Sequence, residues 1–566
     1  LMGGRGRVQA RFVHAAEGRL PSVSAAVSTR GLALGPKPAV GGAVAATASR
    51  AALRVDFGAE AIVDGVTGFA AISGRLTDAR GPVVWLDGRG QLPLELLLAG
   101  GETSDLRAAM LDRAFGFHVV VPERKLSAWP GLVDLGGTTG AVSLDVSVEG
   151  TPRAPRGRLV LAGRELRALG TGLPSTLDAT LRYDGAIAEL DARLAAKEGA
   201  APPGSAHVKA RAEVDVAHLA EGRPVAALPW KADVATAFER FPLATLPTRG
   251  DARLRGTLGG TVTLRDLHRD AKLDVALDGT SLTVSRAPIP HLELRASAAN
   301  GTAKASLRVD QPDGFAEVVA GAGLAWGAAL APKLDAKHPL DARLSARGFR
   351  AAALAPFTAH SLADLDGRVD ADAHVRAGGG GEDVVAEGTV IARDFSFVVA
   401  AMGQEYRDVG ARVTFSPGGV VRVDDIHASD GVGKIGGSAV ARLDARGFVG
   451  ANVALRIPES SPIDLTLEGR TLGDAYGDIR VGVRNLRATK TLDVAVDIPS
   501  FHLKLLESAG KQVQDLKART DVRVGVARDR ALVPIALAKS KVEPDVPAGD
   551  DSVVHVAVNL GSDVVL

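Results

Sequence analysis

Two groups of residues in this chain have types and spacings that could do chemistry, and the first is rich in glycine. Residues Gly431 to Gly436 read Gly-Val-Gly-Lys-Ile-Gly, the glycine spacing of a dinucleotide-binding turn. Such a site needs a helix after its third glycine, whereas Gly437 to Leu443 alternates apolar and polar residues as a strand does. A phosphate-binding P-loop does not fit either, because Ile435 follows Lys434 where Ser or Thr is required. We predict a glycine-rich bend.

The second group consists of acidic residues and one histidine. Asp370, Asp372 and His374 alternate along a strand, so they share a face that could bind a hard cation, but no fourth ligand is evident. The acid pairs Asp424-Asp425 and Asp550-Asp551 stand beside turn-like sequence, and neighbouring strand residues point to opposite faces, which is wrong for a paired-carboxylate catalyst. The chain has neither the zinc-protease spacing of histidines nor a serine nucleophile elbow. We expect no metal, no cofactor and no enzymatic activity.

Composition excludes further classes of protein. The 566 residues include no cysteine, which rules out disulfide frameworks and thiolate chemistry. The 67 basic and 66 acidic residues leave no surplus that would drive nucleic-acid binding. Aromatic residues make up 4% of a chain that is 46% hydrophobic, so the apolar surface comes from Ala, Val and Leu. With 4 Trp and 3 Tyr, an aromatic platform for carbohydrate chemistry is also disfavoured.

Alternation of apolar and polar residues recurs along the chain and predicts strands with one dry and one wet face. Helices are few, and the best candidate begins near Ser104 and ends at Gly116. The longest charge-free apolar stretch, Val318 to Pro332, has 15 residues, shorter than a membrane-spanning helix requires. The dry strand faces are the candidate binding surface: Val142, Leu144, Val146 and Val148; Val208, Ala210, Ala212 and Val214; Val369, Ala371, Ala373 and Val375; and Leu492, Val494 and Val496.

Two markers recur at a spacing that indicates an internal repeat. Trp129-Pro130, Phe241-Pro242 and Pro356-Phe357 each precede a glycine and a long strand, with proline steps of 112 and 114 residues. A pair of strands separated by a reversal occurs four times, and its aligned residues Leu177, Leu292, Val409 and Leu516 are 115, 117 and 107 residues apart. Amphipathic strands repeated without a break in composition predict stacked units that share one continuous sheet.

The dry faces carry small side chains. Two sheets lined by Val and Ala do not fill the 10 Å between them to native packing density unless they collapse or admit a ligand, and an acyl chain is such a ligand. The alternative is an ordinary array of closed β-sandwiches that are packed more tightly than average. The residues alone leave both interpretations open.

Several blocks carry a family likeness: Leu362 to Ala373, Ala386 to Val390, Phe395 to Phe397, Met402 to Val409, Ile426 to Gly431, Gly140 to Leu161 and Asp551 to Gly561. In these blocks the chain resembles the repeated module of the TamB family of translocation and assembly proteins, which are relatives of the AsmA-like proteins. The likeness covers Trp129 to Leu566. It predicts a weakly matching β-rich region over residues 1–125, repeat units over 126–238, 239–352 and 353–460, a diverged unit over 461–550, and the start of a truncated C-terminal domain over 551–566.

The resemblance implies an all-β protein whose elongated sheet curls into an open apolar groove, a β-taco. It also implies a location in the periplasm of Gram-negative bacteria, with an inner-membrane anchor in a segment absent from this chain. The implied partners are phospholipid acyl chains and an outer-membrane barrel of the Omp85 type. The predicted function is a non-enzymatic lipid conduit that serves phospholipid transport and outer-membrane biogenesis. The alternative is a closed sandwich array acting as an adhesin or a structural protein.

Overall fold

The computed structural model describes most of the chain and shows an all-β protein. Strands account for 79% and helices for 6% of the described residues. Those residues are 5–13, 21–34, 53–100, 103–128, 137–168, 172–199, 201–216, 230–246, 254–284, 287–326, 330–335, 340–358, 361–377, 384–400, 402–444, 447–467, 470–486, 491–505, 525–528, 531–534 and 553–565. They belong to two compact units, one of Leu1–Pro356 with His374–Gly380, the other of Phe357–Ala373 with Gly381–Leu566.

The first unit is one open antiparallel sheet whose strands follow chain order. Its strands are β1 Arg5–Val13, β2 Ser22–Leu34, β3 Leu53–Val63, β4 Phe69–Asp78, β5 Gly81–Gln91, β6 Phe115–Lys125, β7 Thr139–Thr151, β8 Ala154–Arg167, β9 Ser175–Tyr183, β10 Ile187–Ala196, β11 Gly204–Val214, β12 Trp230–Pro242, β13 Leu254–Leu267, β14 Lys272–Val284, β15 Ala287–Ala299, β16 Thr302–Gln311, β17 Gly314–Ala325, β18 Lys333–Leu334 and β19 Leu340–Arg350. Each strand from β1 to β17 pairs with the next, and β19 pairs with β17. The short β18 pairs with the end of β17.

The second unit has the same plan with one parallel pair. Its strands are β20 Leu362–Ala377, β21 Val384–Val399, β22 Gln404–Ser416, β23 Val420–Ser429, β24 Lys434–Asp444, β25 Gly447–Ile457, β26 Ile463–Leu467, β27 Arg470–Leu486, β28 Thr491–Leu505, β29 Gly525–Arg528, β30 Ala531–Pro534 and β31 Val553–Val565. The last four residues of β20, 374–377, are assigned to the first unit. Antiparallel pairs run from β21 to β28, with β25 and β26 both on β27. β31 lies parallel to β28.

In the described ranges helical structure is limited to short segments. Helices α1 Leu94–Leu98 and α2 Thr103–Leu111 join β5 to β6, and α3 spans Ala355–Thr358. The helix expected near Ser104 is therefore present, but it ends earlier than predicted because Arg113 N–H bonds to Met110 O in a tighter turn and β6 begins at Phe115. No helix among the described residues is long and apolar enough to cross a membrane.

Burial in the first unit is concentrated along one side of the sheet where the ends of successive strands meet, here called the capped edge. Short 3₁₀ turns, here called capping turns, directly follow β6, β12 and β19: Leu126–Ala128, Leu243–Thr245 and Ala351–Leu354. Because consecutive strands are antiparallel and β19 takes the eighteenth place, these three strands run the same way and end at the same edge. Each capping turn buries two residues, so this edge has a packed core. Phe241-Pro242 and Pro356-Phe357 of the first repeat marker lie beside these turns, whereas Trp129-Pro130 lies outside the described residues.

A glycine opposite a large apolar residue recurs along the sheet. The four pairs are Gly140 with Leu166, Gly256 with Leu282, Gly367 with Phe395 and Gly477 with Phe501, and the glycines stand 116, 111 and 110 residues apart. Every one of these glycines has a positive φ, between 109° and 147°, which an L side chain rarely adopts. In three pairs the large residue follows a residue with φ near 50°, the mark of a bulge that increases twist. The large residues belong to the second repeat marker, although Leu516 of that marker lies outside the described residues. The domain boundaries stay a prediction.

Replacing Gly367 with alanine should destabilise the second unit by about 1–3 kcal/mol. A methyl group there would lie 2.7 Å from Phe395 Cα, and the φ of 135° is strained for alanine. Gly436→Ala is the matched control, since its added Cβ would find only Ile426 O at 3.9 Å and its φ is ordinary. Urea unfolding of both variants measures the difference. Equal stability of the two would contradict this account of the glycine.

Candidate functional site

The apolar residues of the first unit are aligned in register across the sheet. One row of direct cross-strand partners runs through fourteen strands, and all its side chains are aliphatic or absent: Val8, Val27, Ala59, Gly74, Leu86, Val119, Val146, Leu159, Leu181, Leu190, Ala210, Val234, Leu264 and Leu273. None of the fourteen is buried. We call the side of the sheet that carries this row the apolar face, and the opposite side the polar face.

The second unit has an equivalent row, which is almost entirely valine. Its members are direct partners from β21 to β31: Val390, Val413, Val423, Ala439, Val453, Val481, Val496 and Val558. All are half-buried except Val558, which is 57% exposed. Burial is instead found beside the row, where Ile457, Ile463 and Ala475 form a small core. The row continues onto β31 because the parallel pairing keeps Val496 opposite Val558.

The predicted lining residues lie in these strands. Val142, Leu144, Val146 and Val148 of β7 and Val208, Ala210, Ala212 and Val214 of β11 are half-buried on the apolar face of the first unit. Leu492, Val494 and Val496 of β28 are half-buried in the second unit. On β20, Val369 and Val375 are half-buried, but Ala371 and Ala373 are 6% and 5% exposed. Thirteen of the fifteen therefore keep solvent contact.

On the polar face of β9 to β13, acidic and basic side chains pair with one another. Arg211 lies 2.7 Å from Glu189, and His207 lies 2.8 Å from Asp191. One row of partners across β9 to β12 reads Arg182, Glu189, Arg211 and Asp233, so the charge alternates from strand to strand. A depression of about 840 Å³ over these strands is lined mostly by polar-face side chains. This depression therefore offers acidic and basic side chains, several of which already pair with each other.

Two of the three residues suspected of cation binding, Asp370 and His374, have structural partners. Asp370 pairs with Arg393, and His374 Nε2 lies 3.0 Å from Asp341. Asp424 and Asp425 lie within β23, where a bulge gives Asp425 a φ of 54°. The prediction of a turn beside them is therefore wrong. Asp550 and Asp551 lie outside the described residues. No group of three potential metal ligands is present in the described ranges.

The predicted glycine-rich bend is present over residues 431–433, whereas Lys434, Ile435 and Gly436 already belong to β24. Asp430 accepts hydrogen bonds from the N–H groups of Val432 and Gly433 at 2.9 and 2.6 Å, and β24 starts at the next residue. Its other oxygen accepts the N–H of Asp464 at 2.5 Å. Burial and the nearby charges of Asp430 and Asp474 raise the pKa of Asp464 above its ordinary value. Burial, with a smaller contribution from Asp430, also raises the pKa of Tyr406.

Replacing Asp474 with asparagine should lower the pKa of Asp464 and stabilise the second unit at neutral pH. The wild-type carboxyl of Asp464 binds its proton more tightly when folded than when unfolded. The free energy of unfolding therefore falls as the pH rises from the ordinary carboxyl pKa, about 4, through the raised one. The variant should flatten this fall without abolishing it, because burial and Asp430 remain. Urea midpoints between pH 3 and pH 8 measure it, and an unchanged slope would contradict the prediction.

Comparison with protein-family models, with curated proteins and with solved structures finds no match to this chain.

Proposed function

We propose that this protein is a non-enzymatic lipid conduit whose apolar face shields phospholipid acyl chains during passage between membranes. The observation that carries the proposal is the row of fourteen aliphatic partners, in register from β1 to β14, with no buried member. A surface this long and apolar calls for a covering, because exposed apolar patches on soluble proteins mark interaction sites. A continuous row suits a long, chemically uniform ligand better than a compact one.

The chemistry of the face matches that of an acyl chain. The members of its central row are Val, Leu and Ala, which present methyl groups, and one glycine. None of them adds a donor or acceptor beyond a backbone already paired in the sheet. Each methylene removed from water contributes about 0.8 kcal/mol, so affinity is spread along the row and no single site dominates. The capping turns protect one edge of the face in the first unit, so we expect chains to enter from the opposite edge.

The closed sandwich array is the rival proposal. A sandwich needs two facing sheets whose inner residues interdigitate to native packing density. Apart from the short pair β29 and β30, the ladder joins the described strands of each unit into one sheet, and the central row keeps solvent contact throughout. Both features favour a surface that accepts a ligand over one that is already filled.

Purification from membranes followed by mass spectrometry of bound lipid tests the proposal. The conduit predicts several phospholipids per chain, retained through gel filtration and exchanged for added lipid. A closed array predicts none. Absence of lipid from protein that also fails to take up fluorescent phospholipid from vesicles would overturn the proposal.

A further inference from the structure

The polar face of the first five strands has a different charge pattern from the rest of the sheet. It carries seven exposed arginines, Arg5, Arg7, Arg11, Arg30, Arg54, Arg75 and Arg89, against three carboxylates, Asp56, Glu60 and Asp87. The surplus of four positive charges contrasts with a net charge of +1 for the entire chain. None of the seven arginines forms an ion pair with a described residue, unlike the paired charges over β9 to β13.

Large apolar side chains stand among these arginines on the same face. Ile62, Phe69 and Trp85 are 45%, 44% and 41% exposed, although they lie on the side of the sheet that is polar elsewhere. Arg89, Ile62 and Phe69 line one shallow depression of about 450 Å³. Four inter-strand spacings make the surface about 20 Å wide. It combines unpaired guanidinium groups with apolar side chains that water solvates poorly.

We propose that the polar face of β1 to β5 docks on the surface of an anionic phospholipid bilayer. Guanidinium groups bind phosphate oxygens in a fixed fork, and each basic residue near such a surface contributes about five-fold to partitioning. Trp85, Phe69 and Ile62 enter the interfacial layer, where aromatic and aliphatic side chains are favourable beside basic ones. This contact uses the face opposite the acyl-chain row, so it does not depend on the conduit.

A bilayer fits this surface better than a nucleic acid does. The major groove of DNA admits a helix or a two-stranded ribbon, whereas five strands present a broad surface. A plane of anionic headgroups over an apolar layer matches both the charges and the three apolar side chains.

Co-sedimentation of the full chain with vesicles tests the proposal. The vesicles contain 30% phosphatidylglycerol in phosphatidylcholine, or phosphatidylcholine alone. We expect wild-type protein to bind the anionic vesicles in a salt-sensitive manner. The triple variant Arg7→Gln, Arg75→Gln, Arg89→Gln should bind about a hundred-fold more weakly. The matched control changes to glutamine three exposed arginines of the second unit that form no ion pair with a described residue, Arg422, Arg442 and Arg480, and should bind as wild type does.

Two further variants separate this contact from the apolar face. Trp85→Ser should weaken binding several-fold and leave the salt dependence unchanged, whereas Val146→Asp on the opposite face should have no effect on vesicle binding. Equal loss of binding in the two arginine triples would overturn the proposal. So would equal binding to neutral and anionic vesicles, or displacement of the protein from vesicles by a 20-base-pair DNA at equimolar phosphate.

Discussion

Replacing Val146 with aspartate should reduce bound phospholipid at least ten-fold while lowering the free energy of unfolding by about 1 kcal/mol. Val146 lies between Val119 and Leu159 in the row, and it is half-buried. The new carboxylate keeps its water, so the expected loss of stability is that of two cross-strand apolar contacts. Acyl methylenes that would contact Val146 lose this apolar neighbour in the variant. At about 0.8 kcal/mol each, two or three such methylenes account for the ten-fold drop in affinity for phospholipid.

Val214→Asp repeats the test at the end of β11, on the same face and at the edge opposite the capping turns. Ser147→Asp is the matched control, because Ser147 is the neighbour of Val146 on the polar face. Lipid content by mass spectrometry and urea unfolding are measured on the same preparations. The size of the stability change decides the interpretation. An unpaired charge in a closed core costs several kcal/mol, so unfolding of the Val146→Asp protein would show that this face is a packed interior.

The second large effect is expected at a buried ion pair. Replacing Asp78 with alanine should destabilise the first unit by about 3–5 kcal/mol, because the guanidinium of Arg124 then stays buried without its counter-ion. The side chains of Arg124 and Asp78 are only 7% and 3% exposed. Arg124 also donates to Pro82 O at 3.2 Å and to Ala128 O at 3.3 Å. One side chain thus ties the ends of β4, β5 and β6 to a capping turn.

Two controls separate the pair from a general effect of losing a carboxylate. Asp87→Ala removes an exposed carboxylate of the neighbouring strand and should change stability by less than about 0.5 kcal/mol. The double variant Asp78→Ala, Arg124→Met should recover much of the loss, since it leaves no charge buried. Hydrogen exchange of the β4 to β6 amides reports the effect locally. A loss of only a few tenths of a kcal/mol in Asp78→Ala would contradict this account of the capped edge.

The alternation of apolar and polar residues predicted the fold class, because successive side chains of a strand point to opposite faces of the sheet. Val142 to Val148 and Val208 to Val214 lie on one face of β7 and β11, as their spacing requires. Alternation within a strand carries no information on which strand is its neighbour, so the fourteen-residue row became visible only with the register. The parallel pairing of β31 with β28 was not predicted for the same reason.

Other features left no readable signal in the sequence. Asp78 and Arg124 are 46 residues apart, and each stands beside residues typical of a strand end, so nothing marks them as a buried pair. Ala371 and Ala373 have the same local pattern as Ala210 and Ala212, yet packing covers only the β20 pair. The balanced charge of the whole chain gave no indication of the arginine cluster on β1 to β5, because a sum over 566 residues does not show which charged residues share a face.

Site-specific photocrosslinking on neighbouring residues tests most directly whether the apolar face carries lipid. A benzophenone amino acid is placed at Leu159, Leu190 or Leu264 of the row, and as matched controls at Arg158, Glu189 or Thr263, each adjacent in the chain but on the polar face. The protein is irradiated in membrane extracts and analysed for phospholipid adducts. The account predicts adducts at all three row positions and few at their neighbours. Adducts of equal yield on both faces, or on neither, would contradict it.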